Sequence, residues 1–303
     1  MILVGGEALV DLVVQDGDDV GAHLGGGPFN CARTLGRLEQ PVAYLGRLSS
    51  DRFGSRLRAQ LEEDGVRLDT VVATDDPTTL ALAELDAQGA AAYRFYHAGT
   101  SVPGLTPEAA LDVLPEGVEM VHAGTLGLVY EPIAQALEAV IERVAGDALV
   151  MLDLNCRPSA IEDPDGYRAR LERLTARCHV VKASDADLEY LDPDRSDVDA
   201  ARALLGRGPA VVLLTRGERG ACVVTADGDT EVPAPRVEVV DTIGAGDAFG
   251  GGFLAWWRRA GLGAGDLAQG EPVVEATRFA CLVAARTCER PGASPPRLDE
   301  LPS

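Results

Sequence analysis

Short runs that are apolar throughout alternate along this chain with longer stretches whose apolar residues recur every three to four positions. Ile2–Val4, Val42–Leu45, Met120–Ala123, Ala148–Leu154, His179–Lys182 and Ala210–Thr215 read as strands, the last with five apolar residues in a row. Asn30–Leu38, Phe53–Glu63, Ile133–Val144, Tyr167–Arg177 and Asp185–Leu191 have helical spacing, and Ala245–Arg259 and Pro272–Cys288 are the last two helices. A strand with no polar face must be covered on both sides, so the pattern predicts an α/β fold with a Rossmann-like, mostly parallel sheet flanked by helices.

The texture changes between about residues 67 and 97. Val71–Ala73, Thr79–Leu85 and Ala91–Tyr96 are short β-type runs, separated by the turn-like Asp75-Asp-Pro77 and Asp86-Ala-Gln-Gly89. They predict a small inserted β-lid, with residues 11–23, which begin in the extended stretch Ala8–Val14, as a second contributor. Cys222–Val232 reads as a hairpin with Asp227-Gly228 at its tip. No repeat or linker divides the chain, which reads as one domain over 1–303.

Charge narrows the partners. With 48 acidic against 27 basic residues the formal net charge is −21, which disfavours nucleic acid and anionic membrane surfaces. No apolar run reaches the ~20 residues needed to span a bilayer. Met1-Ile-Leu-Val meets Gly5-Gly-Glu7 before a signal-peptide core develops, and the six cysteines fall singly, so a cytoplasmic protein with reduced thiols is expected. Lys182 is the only lysine. Its context excludes a Gly-x-x-x-x-Gly-Lys-Ser/Thr phosphate loop. The four histidines (23, 97, 122, 179) lack metal-ligand spacing and read as packed or surface residues.

The most informative chemistry lies at Asp241-Thr-Ile-Gly-Ala-Gly-Asp247-Ala-Phe249, followed by Gly250-Gly-Gly252. Gly244 and Gly246 allow the backbone to approach a ligand and turn its N–H groups outward. A helix starting there adds unpaired donors and a partial positive charge, so Gly244, Ala245 and Gly246 form a candidate anion hole. A carboxylate beside a bound anion needs a reason, and Asp247 reads as a base that takes a proton from an incoming hydroxyl. The plainer reading is an acidic residue favoured by the helix dipole.

Asp241-Thr-x-Gly-Ala-Gly-Asp247-x-Phe249 resembles the C-terminal signature of the PfkB/ribokinase-like carbohydrate kinases. About 200 residues earlier, Gly25-Gly-Gly-Pro-Phe-Asn30-Cys-Ala32, with Gly46-Arg47 and Asp51-Arg-Phe-Gly54, resembles their N-terminal signature. The two lie in the family's order, and Gly5-Gly-Glu7-Ala-Leu-Val-Asp11 with Gly-Pro-Phe-Asn30 looks most like the fructokinase branch. That branch usually carries Phe-Tyr-Arg in the lid, whereas this chain has Phe95-Tyr-His97.

The resemblance implies phosphorylation of a sugar hydroxyl by ATP with Mg²⁺, with Asp247 as base and Gly244, Ala245 and Gly246 around the transferring phosphate. It places Asp11, Gly26, Gly27 and Asn30 on the sugar. From the residues alone, Asp11 reads rather as an outward-facing position of an alternating strand. Asp153, Asn155 and Arg157 alternate at a strand end and share one side if the backbone stays extended, with Arg157 a fork for an anionic group. Ser184 and Asp187 depart from the family's Asn-x-x-Glu motif and are equally an N-cap and capping box. As the motif they serve nucleotide and, through water, Mg²⁺. Thr215, Gly217 and Gly220 resemble the nucleotide loop, a plain turn being the alternative, and Cys281 is assigned beside them. The same resemblance, through the loop Arg290-Pro-Gly292-Ala293, implies Asp241 and Gly292 as oxygen donors to a monovalent cation such as K⁺.

Exposed strand edges in the lid need protection, so a homodimer through the lid is expected. Ketodeoxygluconate kinase and nucleoside kinase are alternatives within the class, and a non-catalytic sugar or nucleotide sensor lies outside it. An NAD-dependent oxidoreductase would need Gly-x-Gly-x-x-Gly after the first strand, which Gly5-Gly-Glu-Ala-Leu does not supply.

Overall fold

A computed structural model describes residues 1–14, 20–85 and 91–302. The principal sheet begins with β1 (Ile2–Gly5). The chain then leaves it for β2 (Leu9–Val14) and β3 (Val20–Gly25), which belong to a second sheet, and passes through α1 (Gly27–Arg37). It returns with β4 (Val42–Ser49), α2 (Arg52–Glu63) and β5 (Val71–Thr74). It departs again for β6 (Leu80–Leu85) and β7 (Ala91–Tyr96).

Past α3 (Pro107–Asp112), strands and helices alternate. These are β8 (Met120–Gly124), α4 (Ile133–Val144), β9 (Leu149–Asp153), α5 (Pro164–Thr175), β10 (Val180–Ser184), α6 (Asp185–Leu191), α7 (Asp197–Leu205) and β11 (Val211–Thr215). A hairpin of β12 (Ala221–Thr225) and β13 (Gly228–Val232) precedes α8 (Ala245–Arg259) and α9 (Gly270–Cys288).

The principal sheet runs β13-β12-β11-β10-β9-β8-β1-β4-β5, with every pair from β11 to β5 parallel and the hairpin antiparallel at the edge. The expected α/β architecture is therefore present. Successive residues of each parallel strand point to opposite faces, so a run apolar at every position supplies two cores. Val150 and Leu152 join the core under α3 to α7, while Leu149 and Met151 join the one under α1, α2, α8 and α9. The glycine run of α8 makes the second layer tight. A Cβ at Gly251 would lie 2.8 Å from the Thr34 side chain, and one at Gly252 would lie 3.1 Å from Ala280 Cα and Val283 Cβ.

The second sheet has the order β3-β2-β6-β7. One sequence expectation changes here. Residues 71–74, expected in the lid, pair with β4 as the edge of the principal sheet, because Gly46–Ser49 extend that strand beyond the apolar run and offer a parallel edge. Val20–Gly25 forms a strand opposite β2 through local antiparallel pairing, Val14 beside Val20 and Leu9 beside Gly25, so the expected 11–23 contribution to this sheet is present and runs on to Gly25. The expected turn at Asp86–Gly89 lies outside the described residues. Helices α3 and α7 were not legible as periodic segments. The free cysteines include five that are buried, and no helix of the described residues is long and apolar enough to cross a membrane.

Candidate active site

Parallel register lines up the carboxyl ends of five strands: Gly5 lies beside Ala123, Gly124 beside Asp153, Asp153 beside Lys182 and Ser184 beside Thr215. Loops leaving these ends are the ordinary ligand position of an open α/β sheet. A crevice of about 360 Å³ opens there, lined by Asp11, Gly26, Gly27, Asn30, Arg157, Gly244, Gly246 and Asp247. Glu7, Thr125 and Asn155 complete it below, with Tyr93 and Phe95 from the second sheet above. Residues from both sequence signatures thus meet in one place.

The start of α8 has the geometry that an anion hole needs. Gly244 is its N-cap in the left-handed region (φ 76°), and a Cβ there would come within 2.6 Å of Ala293 Cβ, so conformation and space both require glycine. The Ala245 N–H is engaged by Thr242 O at 3.2 Å, whereas the Gly246 and Asp247 N–H groups have no acceptor among the described residues. Of the three residues expected around the phosphate, Ala245 therefore contributes its position rather than a free donor.

Asp247 is 8% exposed and makes no capping bond; its Oδ2 accepts from Asn30 Nδ2 at 2.9 Å. Burial first, then the neighbouring Asp153 charge, push its carboxyl up to about 6, against the pull of the Asn30 bond, Lys182 and Arg157. Asn30 Oδ1 is buried with no donor among the described residues, an acceptor that a ligand hydroxyl would satisfy.

Across the crevice, Asp11 on β2 stands opposite His23 and accepts no hydrogen bond from any described residue. Burial raises its carboxyl to about 6, with His23 and Arg157 opposing. The glycines below it are held by Glu7, which the sequence reading left without a role. Glu7 is 2% exposed and accepts from Gly27 N and Gly127 N at 3.0 Å each and from Thr125 Oγ1. No cation offsets it, so burial lifts it to about 7 despite these bonds. Thr125 holds a positive φ (55°) to reach it. Gly26, at φ 113°, lies so close that a Cβ would meet Glu7 O at 2.6 Å. The rest of the N-terminal signature is framework. Asp51 caps α2 through Gly54 N and binds Thr78, while Arg47 binds Asp76.

The strand end at Asp153 departs from expectation. Asn155 takes φ 34°, which breaks the extended run, so the three polar residues do not share a side. Asp153 turns inward to Lys182, with Nζ 2.8 Å from each carboxylate oxygen. Arg157 reaches the crevice, one nitrogen fixed by Asn155 Oδ1 at 2.6 Å.

Ser184 and Asp187 form a capping box, and Asp187 also accepts from Cys156 N at 2.6 Å. Each Asp187 oxygen thus holds one N–H, which leaves lone pairs for water but no open ligand face. No cluster of three His, Cys, Asp or Glu side chains able to hold a metal occurs among the described residues. Thr215, Gly217 and Gly220 follow Ser184 along the same sheet edge, outside this crevice, with Gly217 and Gly220 both at positive φ. Cys281 packs in the core on α9, its thiol raised to about 11 by burial. Asp241 and Gly292 do meet, but through the Gly292 N–H, 2.8 Å from Asp241 Oδ2.

Comparison with known proteins agrees with this geometry. A family model described as pfkB family carbohydrate kinase matches residues 2–300. A fructokinase of Rhizobium leguminosarum bv. trifolii is 38% identical over 260 residues, spanning 84% of this chain and 79% of its own. The crystal structure of a fructokinase with bound ATP from Xylella fastidiosa superposes with a TM-score of 0.88 at 30% identity, over 99% of this chain and 94% of that one. The aminoimidazole riboside kinase from Salmonella enterica gives 0.86 at 25% identity, over 99% and 97%. With both signatures converging on one crevice and the family model spanning nearly the whole chain, this protein belongs to the pfkB family of carbohydrate kinases.

Proposed function

We propose that the chain transfers the γ-phosphoryl group of ATP to a hydroxyl of a ketohexose, fructose foremost. The observation that carries this reading is the placement of Asp247. It sits in the first turn of α8, tied to Asn30, in a crevice shared with the unpartnered Asp11 carboxylate and the Arg157 fork. Asp247 takes the proton of the sugar hydroxyl as its oxygen bonds to the γ-phosphorus. The bond from that phosphorus to the bridging oxygen breaks, and its electron pair leaves with ADP. Charge spread over the transferring group meets the open Gly246 and Asp247 amides and the helix dipole.

ATP follows the edge past Ser184, Thr215, Gly217 and Gly220, toward α9 and Cys281, with the exposed apolar rim Val239, Val240 and Ile243 beside it. A divalent ion such as Mg²⁺ would arrive on the phosphates, where it neutralises charge. The donors suit a hydrated ion facing Asp187 through water, not a protein cage. Asp241 with the Gly292 loop is the place where a monovalent ion such as K⁺ would bind.

A second reading has its own support. Tyr93 and Phe95 stack with ring centroids 6.2 Å apart and 13° between planes, a surface that suits a flat base, as in a riboside. ADP release measured across ketoses, aldoses, sugar acids and nucleosides separates the two. Fructose should give the highest kcat/KM. A nucleoside preferred over every sugar would replace the first reading with the second, and no release with any acceptor would leave a sensor.

A further inference from the structure

Twenty-six of the 27 basic residues are arginines, and the single lysine lies buried beneath the first turn of α8. Lys182 is 3% exposed on β10, bidentate to Asp153 on β9. The first turn of α8 passes directly over it: a Cβ at Gly246 would stand 3.3 Å from Nζ. That gap admits a compact ammonium on a flexible stem and leaves little space for a planar guanidinium.

The groups facing Asp247 and Lys182 are mostly acidic. Asp153 comes from β9, Asp187 from α6 and Asp247 from α8. His122 on β8 is held neutral, pushed down to about 3 by burial and then by Lys182. On α1, Asn30 binds Asp247, and burial keeps the Cys31 thiol protonated. Arg157 is half-buried at the rim. Burial opposes the charge of Lys182, yet Asp153, with Asp187 and Asp247 behind it, holds the ammonium above its ordinary range.

We propose that Lys182 is a positioning residue for phosphoryl transfer: its ammonium, locked by Asp153 beneath the Gly244–Gly246 turn, is the fixed positive charge that lets Asp247 stand ionised beside a bound phosphate. The inference rests on Asp247 being the base. It explains why a lysine persists where the chain otherwise uses arginine, and why a strand-end aspartate expected to face ligand turns inward.

Removing Lys182 alone would strand Asp153 as an unpaired buried acid, so the clean contrast lies between two variants that both lack that charge. Asp153→Asn keeps the ammonium, and Asp153→Asn with Lys182→Met removes it in similar volume. Carbon-13 NMR of aspartate-labelled protein follows the Asp247 carboxyl, assigned by its loss in Asp247→Asn, alongside kcat/KM against pH. The Asp247 midpoint should lie about one unit or more higher in the double variant than in Asp153→Asn, and the acid limb of kcat/KM should move with it.

Equal midpoints in two folded variants would make Lys182 a structural residue and overturn the proposal. A double variant that unfolds where Asp153→Asn folds would also overturn it, since the cation would then be needed for the fold itself. The NMR midpoint needs no substrate. Unmoved midpoints in an active enzyme therefore sink the Lys182 role alone, whereas a wild-type protein inactive on every acceptor sinks the kinase reading beneath it.

Discussion

The base proposed for phosphoryl transfer must be ionised at working pH yet basic enough to accept a proton, and burial, which lifts the Asp247 carboxyl to about 6, suits it to both conditions. Since the base is active when ionised, kcat/KM should rise with pH and reach half its plateau at about 6. Asp247→Asn should preserve the fold and nucleotide binding while turnover drops about 10²-fold or more. A loss below tenfold in a steady-state assay would reduce Asp247 to a helix-end residue. Glu7 supplies a different test. Its folded carboxyl is raised from 4.5 to about 7, so the folded state binds the extra proton, and this contribution to stability is complete below pH 4.5 and lost as pH rises through 7. Glu7→Gln should flatten the fall in Tm across that window, while lowering Tm at every pH because the amide nitrogen cannot accept from Gly127 N. A slope unchanged in Glu7→Gln would remove Glu7 as its source.

At the scale of elements, the site is an alignment of ends. Parallel pairing brings β1, β8, β9, β10 and β11 to one edge, and α8 must then sit close enough for its first turn to reach them. The closeness comes from Gly250-Gly-Gly252, which removes side chains where α8 meets the sheet at His122 and Met151, α1 at Thr34 and α9 at Ala280. Gly252→Val would push against Ala280 Cα and Val283, both in a buried helix wall. Overpacking of this kind costs about 1–3 kcal/mol, so a measurable fall in the urea midpoint is expected. Asp247 is five residues away on the same helix, and kcat should fall with it. Unchanged stability would mean that the α8–α9 contact has slack.

For the molecule as a whole, the second sheet is the element whose behaviour most needs measurement. Tyr93 and Phe95 line the crevice, while Tyr96 is 51% exposed, Val20 55% and Val14 39%. One face thus looks at ligand and the other presents apolar surface and unpaired edges, a combination that a second copy of the chain would cover. Hydrogen exchange over 80–96 should slow when sugar is added, and light scattering should report a dimer. A monomer whose exchange ignores sugar would remove both the lid and the dimer.

The hydrophobic period by itself determined the parallel sheet and its two helical layers, because strands apolar at every position have only one way to be buried. The glycine spacing before Asp247 likewise determined a left-handed turn that opens a helix with free N–H groups, since backbone freedom and helix polarity are local properties. Tertiary structure decided what local chemistry leaves open. Val71–Thr74 took its sheet from Gly46–Ser49, on the far side of α2. Asp153 turned away from the crevice because an ammonium 29 residues later stood within reach. Glu7 and Thr125 entered the crevice, and Lys182 the layer beneath the α8 turn, through register and packing, and of these only Lys182 left a trace in composition, as the one lysine among arginines. Long-range contact energy is not written in any one segment, so the residues that support a site are harder to read from sequence than those whose chemistry defines it.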